Sequence, residues 1–114
     1  MIDDNLHSSL LEDLKNAETY RANGEDNKSR VIARQVAGKA IRALLRDLNI
    51  TQAKTISPYQ YLLISKDLPE IFSPIFSEVE SLTRKVNPDY SFPENLNLIH
   101  ASKKIIDFVK EYKK

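Results

Sequence analysis

The amino-acid sequence predicts an all-α fold, an up-and-down antiparallel bundle of four to five helices in a single domain over residues 1–114. Apolar residues recur at helical spacing along most of the chain, and no segment of strand length alternates strictly between apolar and polar residues. Only two glycines and five prolines interrupt this pattern. A chain of 114 residues is long enough to bury an ordinary core, so neither a disulfide nor a structural metal is required.

The first predicted helix runs from about Asp4 to Ala22. The dipeptide Asn23-Gly24 is predicted to end it, because glycine readily adopts the left-handed backbone conformation found at helix C-termini. The apolar residues on one stripe of this helix are Leu6, Leu10, Leu14 and Ala17.

The second predicted helix begins near Asp26 or Asn27, either of which suits an N-cap, and extends to Leu48. Because the turn before it is short, the first two helices are predicted to form an antiparallel hairpin. The residues expected to face inward from the second helix are Ala33, Val36, Ala37, Ala40, Ile41, Leu44, Leu45 and Leu48.

A loop is predicted over residues 49–57. A short third helix then begins with a capping box, in which Ser57 and Gln60 each bond the other's backbone, and Pro58 occupies the first helical position. Pro69 is expected to break this helix, and Ser73-Pro74 to restart it, because proline is tolerated only in the first turn. The residues that share a face after the restart are Ile75, Phe76, Val79, Leu82 and Val86.

The last helix follows a predicted turn over residues 87–90. Ser91 and Glu94 have the spacing of a second capping box, and the helix is expected to reach about Tyr112. Its inward residues are predicted to be Leu98, Ala101, Ile105, Val109 and Tyr112.

Composition excludes several classes of chemistry. The chain has no cysteine, which removes thiol catalysis and thiolate zinc sites and is compatible with the cytoplasm. No apolar stretch approaches the length of a membrane span, and the formal charge of +1 gives no overall attraction for nucleic acid. His7 and His100 lack a convergent set of carboxylates, so both are expected to be solvated, and the sequence predicts neither a metal nor a cofactor.

Two residues of the second helix need an explanation. Arg34 lies by helical angle at the border of the apolar face, where its guanidinium must find a carboxylate, a carbonyl or a bound anion. An internal ion pair with Glu12 or Glu18 is favoured over a ligand site.

Gly38 lies in the helix interior, where glycine costs about 1 kcal/mol relative to alanine. We therefore expect a close approach of a neighbouring helix or a second subunit at Gly38.

Aromatic residues are concentrated in the second half of the chain. They are expected to pack in the core and in turns, although stacking on nucleic-acid bases is the alternative. These residues are Tyr59, Tyr61, Phe72, Phe76, Tyr90 and Phe92.

The helical hairpin resembles the HEPN family (higher eukaryotes and prokaryotes nucleotide-binding domain), and the resemblance extends over residues 5–112. Residues 11–22 are similar to the family's first helix, and residues 23–26 to its acidic, glycine-containing turn. Residues 33–45 are similar to a second helix of the form Ala-x-Gln-Ala-Ala-Glu-Lys-Ala-Leu-Lys-Ala-Leu-Leu. Gly38 stands where that pattern has an acid. The matching residues are Gln35, Ala37, Lys39, Ala40, Arg42, Ala43, Leu44 and Leu45.

The resemblance also bears on catalysis. Many family members are ribonucleases whose motif is an arginine followed, after four to six residues, by a histidine. Here Arg84 is followed after five residues by Tyr90. A phenol loses its proton only well above neutral pH and is a poor base for a ribose hydroxyl. Tyr90 more closely resembles members in which an Arg-Tyr or Asp-Tyr turn replaces the motif, so the sequence predicts no catalytic residue.

The resemblance implies a non-catalytic helical protein that binds a nucleotide or RNA, or a minimal nucleotidyltransferase partner, as in a toxin-antitoxin pair. It also implies a homodimer. The residues expected to contact a ligand are Arg34 and Arg84, as anion contacts, and Tyr90, as a stacking surface or hydroxyl donor. The alternatives are a metal-independent ribonuclease with a degenerate motif and a helical adaptor that binds no nucleotide.

Overall fold

The second helix is the central element of the fold, and the other helices pack around it. The structure is a computed structural model that describes residues 3–50, 56–83 and 98–112. Within those ranges the chain forms helices and turns and no strand, which confirms the all-α class. The helices are α1 (Asp4–Ala22), α2 (Asp26–Asp47), α3 (Pro58–Ser65), α4 (Pro69–Phe72), α5 (Phe76–Thr83) and α6 (Leu98–Glu111), with a 3-10 turn over Ser73–Ile75 between α4 and α5.

The turn between α1 and α2 confirms the predicted role of the glycine. Gly24 has a φ of 81°, and the Glu25 amide donates a 2.8 Å hydrogen bond to the Tyr20 carbonyl. This pattern is a Schellman motif, which satisfies carbonyls at the end of α1. The predicted N-cap of α2 was wrong by one residue: Glu25 occupies that position and makes no side-chain capping bond. The Glu25 carboxylate instead pairs with Lys28 at 3.1 Å.

The end of α2 is a second Schellman motif, at a residue that the sequence did not single out. Asn49 has a φ of 60°, and the Ile50 amide donates a 2.8 Å hydrogen bond to the Leu45 carbonyl. Ile50 packs against the core. α2 therefore ends within a residue of the predicted boundary, through a left-handed asparagine.

The third helical region is broken as predicted. The capping box of α3 is complete, because the Ser57 amide donates to Gln60 Oε1 at 2.9 Å and the Gln60 amide donates to Ser57 Oγ at 3.3 Å. Pro69 opens α4, and the 3-10 turn leads from there into α5.

The core forms where α1, α3 and α6 meet α2. The predicted inward face of α2 is confirmed from Ala33 to Leu45, and Leu48 is half-buried. Tyr112 is likewise half-buried rather than buried, and its ring packs edge-on against Phe108 with centroids 5.6 Å apart. The largest completely buried side chains are Phe72, Leu10, Ile41, Leu44, Leu45, Leu62, Leu82, Ile105, Ile106, Val36, Val79 and Val109.

α1 and α6 run antiparallel. Near the start of α1, His7 Nδ1 lies 3.3 Å from Lys110 Nζ in the last turn of α6. The last turn of α1 lies beside the described start of α6, where Arg21 and Ile99 line the same cleft. The turn predicted over residues 87–90 and the capping box of Ser91 and Glu94 lie outside the described residues. No helix in the described ranges is long and apolar enough to cross a membrane.

Candidate functional site

Arg34 is held in place by a backbone carbonyl from a distant helix. Its Nε donates a 2.6 Å hydrogen bond to the carbonyl of Leu82, which lies in the last turn of α5. Carbonyls in the last turn of a helix have no partner within the helix. Arg34, a residue of α2, therefore stabilises the end of α5 and is itself fixed in orientation by that bond.

The structure assigns this hydrogen bond to a carbonyl rather than to Glu12 or Glu18, the carboxylates favoured from the sequence. Both glutamates have exposed side chains, and Glu18 lines a cleft beside α6. Sequence spacing placed Arg34 correctly at the border of the core. It contained no information on which distant element would reach it.

Arg34 is partly desolvated and lies close to a second arginine. Burial lowers the pKa of Arg34, and the positive charge of Arg30, one turn earlier on α2, lowers this pKa further. Nε and Nη1 of Arg30 are themselves buried atoms. The site therefore holds two neighbouring guanidiniums with reduced access to water, and each of them prefers a negative group nearby.

Tyr59 is the third side chain of this region. The Arg34 guanidinium carbon lies 5.8 Å from the centre of the Tyr59 ring, within the range of a cation–π contact. Tyr59 is 39% exposed, so the expectation that it packs in the core was wrong. Phe72, by contrast, is completely buried as predicted. We refer to Arg30, Arg34 and Tyr59 as the arginine site.

Gly38 explains how Tyr59 reaches Arg34. A Cβ built on Gly38 would lie 2.7 Å from the Cα of Pro58 and closer still to the Pro58 carbonyl. The first residue of α3 therefore rests directly on the backbone of α2, one turn after Arg34. This confirms the expected close approach and assigns it to a neighbouring helix, and the contact brings the next residue, Tyr59, beside the guanidinium.

Two exposed apolar side chains lie next to one another on α3. Tyr59 and Leu63 are four residues apart, so they project from the same side of the helix, and their exposed fractions are 39% and 40%. Sequence reasoning missed this face, because the short apolar run of α3 does not reveal which side the bundle covers.

Two of the predicted ligand-contacting residues, Arg84 and Tyr90, lie outside the described residues and stay predictions. His100 is exposed, as expected, whereas His7 is half-buried and contacts Lys110. In the part of the chain that the structure describes, no three His, Asp or Glu side chains are grouped so that they could hold a metal ion.

Comparison of the chain with protein-family models, with curated proteins and with solved structures found no match. The fold and the site described above are those of an all-α protein in which a partly buried pair of arginines lies beside an exposed tyrosine.

Proposed function

We propose that this chain is a non-catalytic, HEPN-like helical protein that binds a nucleotide at the arginine site. The observation that carries the proposal is the position of the Arg34 guanidinium, which is partly desolvated, lies next to Arg30 and contacts the ring of Tyr59. A nucleotide combines an anionic phosphate with a flat aromatic base. The site offers one complementary group for each part.

The phosphate would bind the two guanidiniums, which form charge-assisted and bidentate hydrogen bonds with phosphate oxygens. The base would stack on the exposed part of the Tyr59 ring, an interaction of roughly 1–3 kcal/mol per base. The hydrogen bond from Arg34 to the Leu82 carbonyl supports this arrangement, since it orients the side chain before a ligand arrives. From the resemblance, Arg84 is proposed as a further anion contact and Tyr90 as a stacking surface or hydroxyl donor.

Titration calorimetry with ATP and other nucleotides tests the proposal. We expect a saturable signal, and we expect Arg30→Gln and Tyr59→Leu each to weaken binding roughly tenfold, which corresponds to the loss of one charged or stacking contact. Arg46→Gln is the matched control, because Arg46 belongs to α2 but is exposed. Flat titrations with every nucleotide would contradict the proposal and favour an adaptor without nucleotide affinity.

A protein partner is the second candidate, and the exposed apolar pair of Tyr59 and Leu63 supports it. The resemblance suggests a minimal nucleotidyltransferase as that partner, within a toxin-antitoxin pair. Co-expression with a nucleotidyltransferase encoded by a neighbouring gene tests this idea. We expect a stable complex that Leu63→Glu disrupts and Gln35→Glu leaves intact, since Gln35 is an exposed residue of α2.

A homodimer is also proposed from the resemblance, and analytical ultracentrifugation of the purified chain measures it. The rival enzymatic function is a metal-independent ribonuclease. Incubation with structured RNA in EDTA distinguishes the two: we expect no cleavage at micromolar protein. Cleavage that disappears in Arg84→Ala would establish the ribonuclease instead.

A further inference from the structure

A cleft lies between α1 and α6, away from the helices that build the arginine site. It occupies about 590 Å³, a volume within the range of small-ligand pockets. One wall is the last turn of α1, and the other is the described start of α6. The described residues that line it are Glu18, Arg21, Ala22, Ile99, His100 and Lys103.

The polar groups of this cleft come in two pairs with helical spacing. Glu18 and Arg21 are three residues apart on α1, and His100 and Lys103 are three apart on α6, so each pair projects from one side of its helix. Because the two helices pack side by side, the pairs lie on opposite walls. Between them Ile99, only 7% exposed, provides an apolar floor.

The charges of these side chains do not balance. Among the described side chains of the cleft, Arg21 and Lys103 contribute two positive charges and Glu18 contributes one negative charge. A concave surface with an excess of one sign concentrates ions of the other sign. An arginine beside a lysine suits an oxyanion, since the guanidinium binds two oxygens in one plane and the ammonium acts as a point charge.

We propose that this cleft binds a phosphate-class oxyanion, supplied as inorganic phosphate or as the phosphate of a small phosphomonoester. Arg21 and Lys103 contact the anion from opposite walls. The apolar floor formed by Ile99, with Ala22 beside it on the wall of α1, receives the organic part of a phosphomonoester. Glu18 limits the affinity, because its carboxylate repels the same anion.

Amide proton–nitrogen correlation spectra test the proposal, with sodium phosphate or glycerol phosphate as the probe and sodium chloride added to keep the ionic strength constant. We expect saturable shifts of amides near the cleft, among them those of Ala22 and Ile99, separate from any shifts around the arginine site. Saturation with either probe supports the site, and the tighter probe identifies the source of the phosphate group. Linear shifts, or equal shifts around every surface lysine, would overturn the proposal.

Substitutions of the charged residues give the sharper test, because the proposal predicts weaker binding for some of them and tighter binding for another. Arg21→Gln and Lys103→Gln are each expected to weaken binding roughly two- to fivefold, the size of an exposed ion-pair contribution. Glu18→Gln is expected to tighten it by a similar factor. All three side chains are exposed, so the fold should tolerate the changes, which circular dichroism verifies.

Lys15→Gln is the matched control. Lys15 is an exposed lysine of α1 that does not line the cleft, and its loss changes the net charge as much as the loss of Lys103 does. Equal weakening in Lys15→Gln and Lys103→Gln would mean that only overall charge matters, and would overturn the site. The substituted residues lie on α1 and α6, whereas the arginine site belongs to α2 and α3. The effects of these substitutions therefore do not depend on whether the arginine site binds a nucleotide.

Discussion

Arg34 and Leu82 are joined by a hydrogen bond between residues 48 positions apart, with Nε 2.6 Å from the carbonyl oxygen. The bond links the central helix to the end of α5. It also gives Arg34 two roles that substitutions must separate: stabilisation of α5 and the proposed contact with a ligand.

Arg34→Lys tests the structural role, because lysine keeps the positive charge but has no Nε at the same place. We expect the free energy of unfolding to fall by about 1–2 kcal/mol, the usual contribution of a hydrogen bond to a charged group in a partly exposed site. Urea denaturation measures the change. Arg46→Lys, on the exposed face of α2, should leave stability unchanged, and equal effects of the two substitutions would contradict the importance of the bond.

Gly38→Ala tests the contact between α2 and α3. Helix propensity alone predicts a gain of about 1 kcal/mol, whereas the added methyl group would overlap the backbone of Pro58. Because backbone moves less readily than a flexible side chain, we expect a net loss of about 1–3 kcal/mol in urea denaturation. Gln35→Ala, at an exposed position of the same helix, is the control and should be neutral. A more stable Gly38→Ala protein would show that the two helices do not touch here.

The third prediction concerns the residues with a left-handed backbone conformation at the ends of α1 and α2. Gly24 and Asn49 have φ values of 81° and 60°, whereas Asn23 has an ordinary φ of −88°. Gly24→Ala and Asn49→Ala are each expected to lower the unfolding free energy by about 1 kcal/mol, because a Cβ disfavours this conformation.

Two further substitutions in these turns serve as controls, and thermal unfolding measures their effect on stability. Asn49→Gly should change stability by less than about 0.5 kcal/mol, since glycine adopts the left-handed region without strain but gains entropy in the unfolded chain. Asn23→Ala should have little effect. A large loss in Asn23→Ala would locate the important contact in the side chain rather than in the backbone angle.

Substitution by alanine at two buried serines is expected to change the free energy of unfolding in opposite directions. Ser102 is completely buried in α6, and its hydroxyl has no hydrogen-bond partner within the described ranges. Ser65 is equally buried, but its Oγ donates a 2.6 Å hydrogen bond to the Leu62 carbonyl. Ser102→Ala should raise the unfolding free energy by about 1 kcal/mol, because it removes an unsatisfied hydroxyl and improves helix propensity.

Ser65→Ala should lower the same free energy by about 1 kcal/mol, because it leaves a carbonyl at the end of α3 without its partner. Denaturation of both variants under identical conditions compares the two signs directly. Destabilisation by both substitutions would indicate that packing of the serine side chain outweighs its hydrogen bonding.

Features that depend on residues three or four positions apart were predictable from the sequence. The spacing of Ser57 and Gln60 predicted the start of α3, and Gly24 predicted the end of α1. The unusual position of Gly38 predicted a close approach without naming its partner. Each of these inferences uses local hydrogen bonding or backbone sterics, which neighbouring residues fix by themselves.

The sequence by itself therefore determined the helical class of the described chain, most helix boundaries and the inward face of α2. Only the tertiary structure decided that the Leu82 carbonyl would meet Arg34, that Tyr59 would lie beside it exposed, and that the ends of α1 and α6 would enclose a cleft. Helical periodicity fixes the face on which a residue lies. Contacts between distant residues depend instead on how whole helices pack, and that is set by the shape of the entire core.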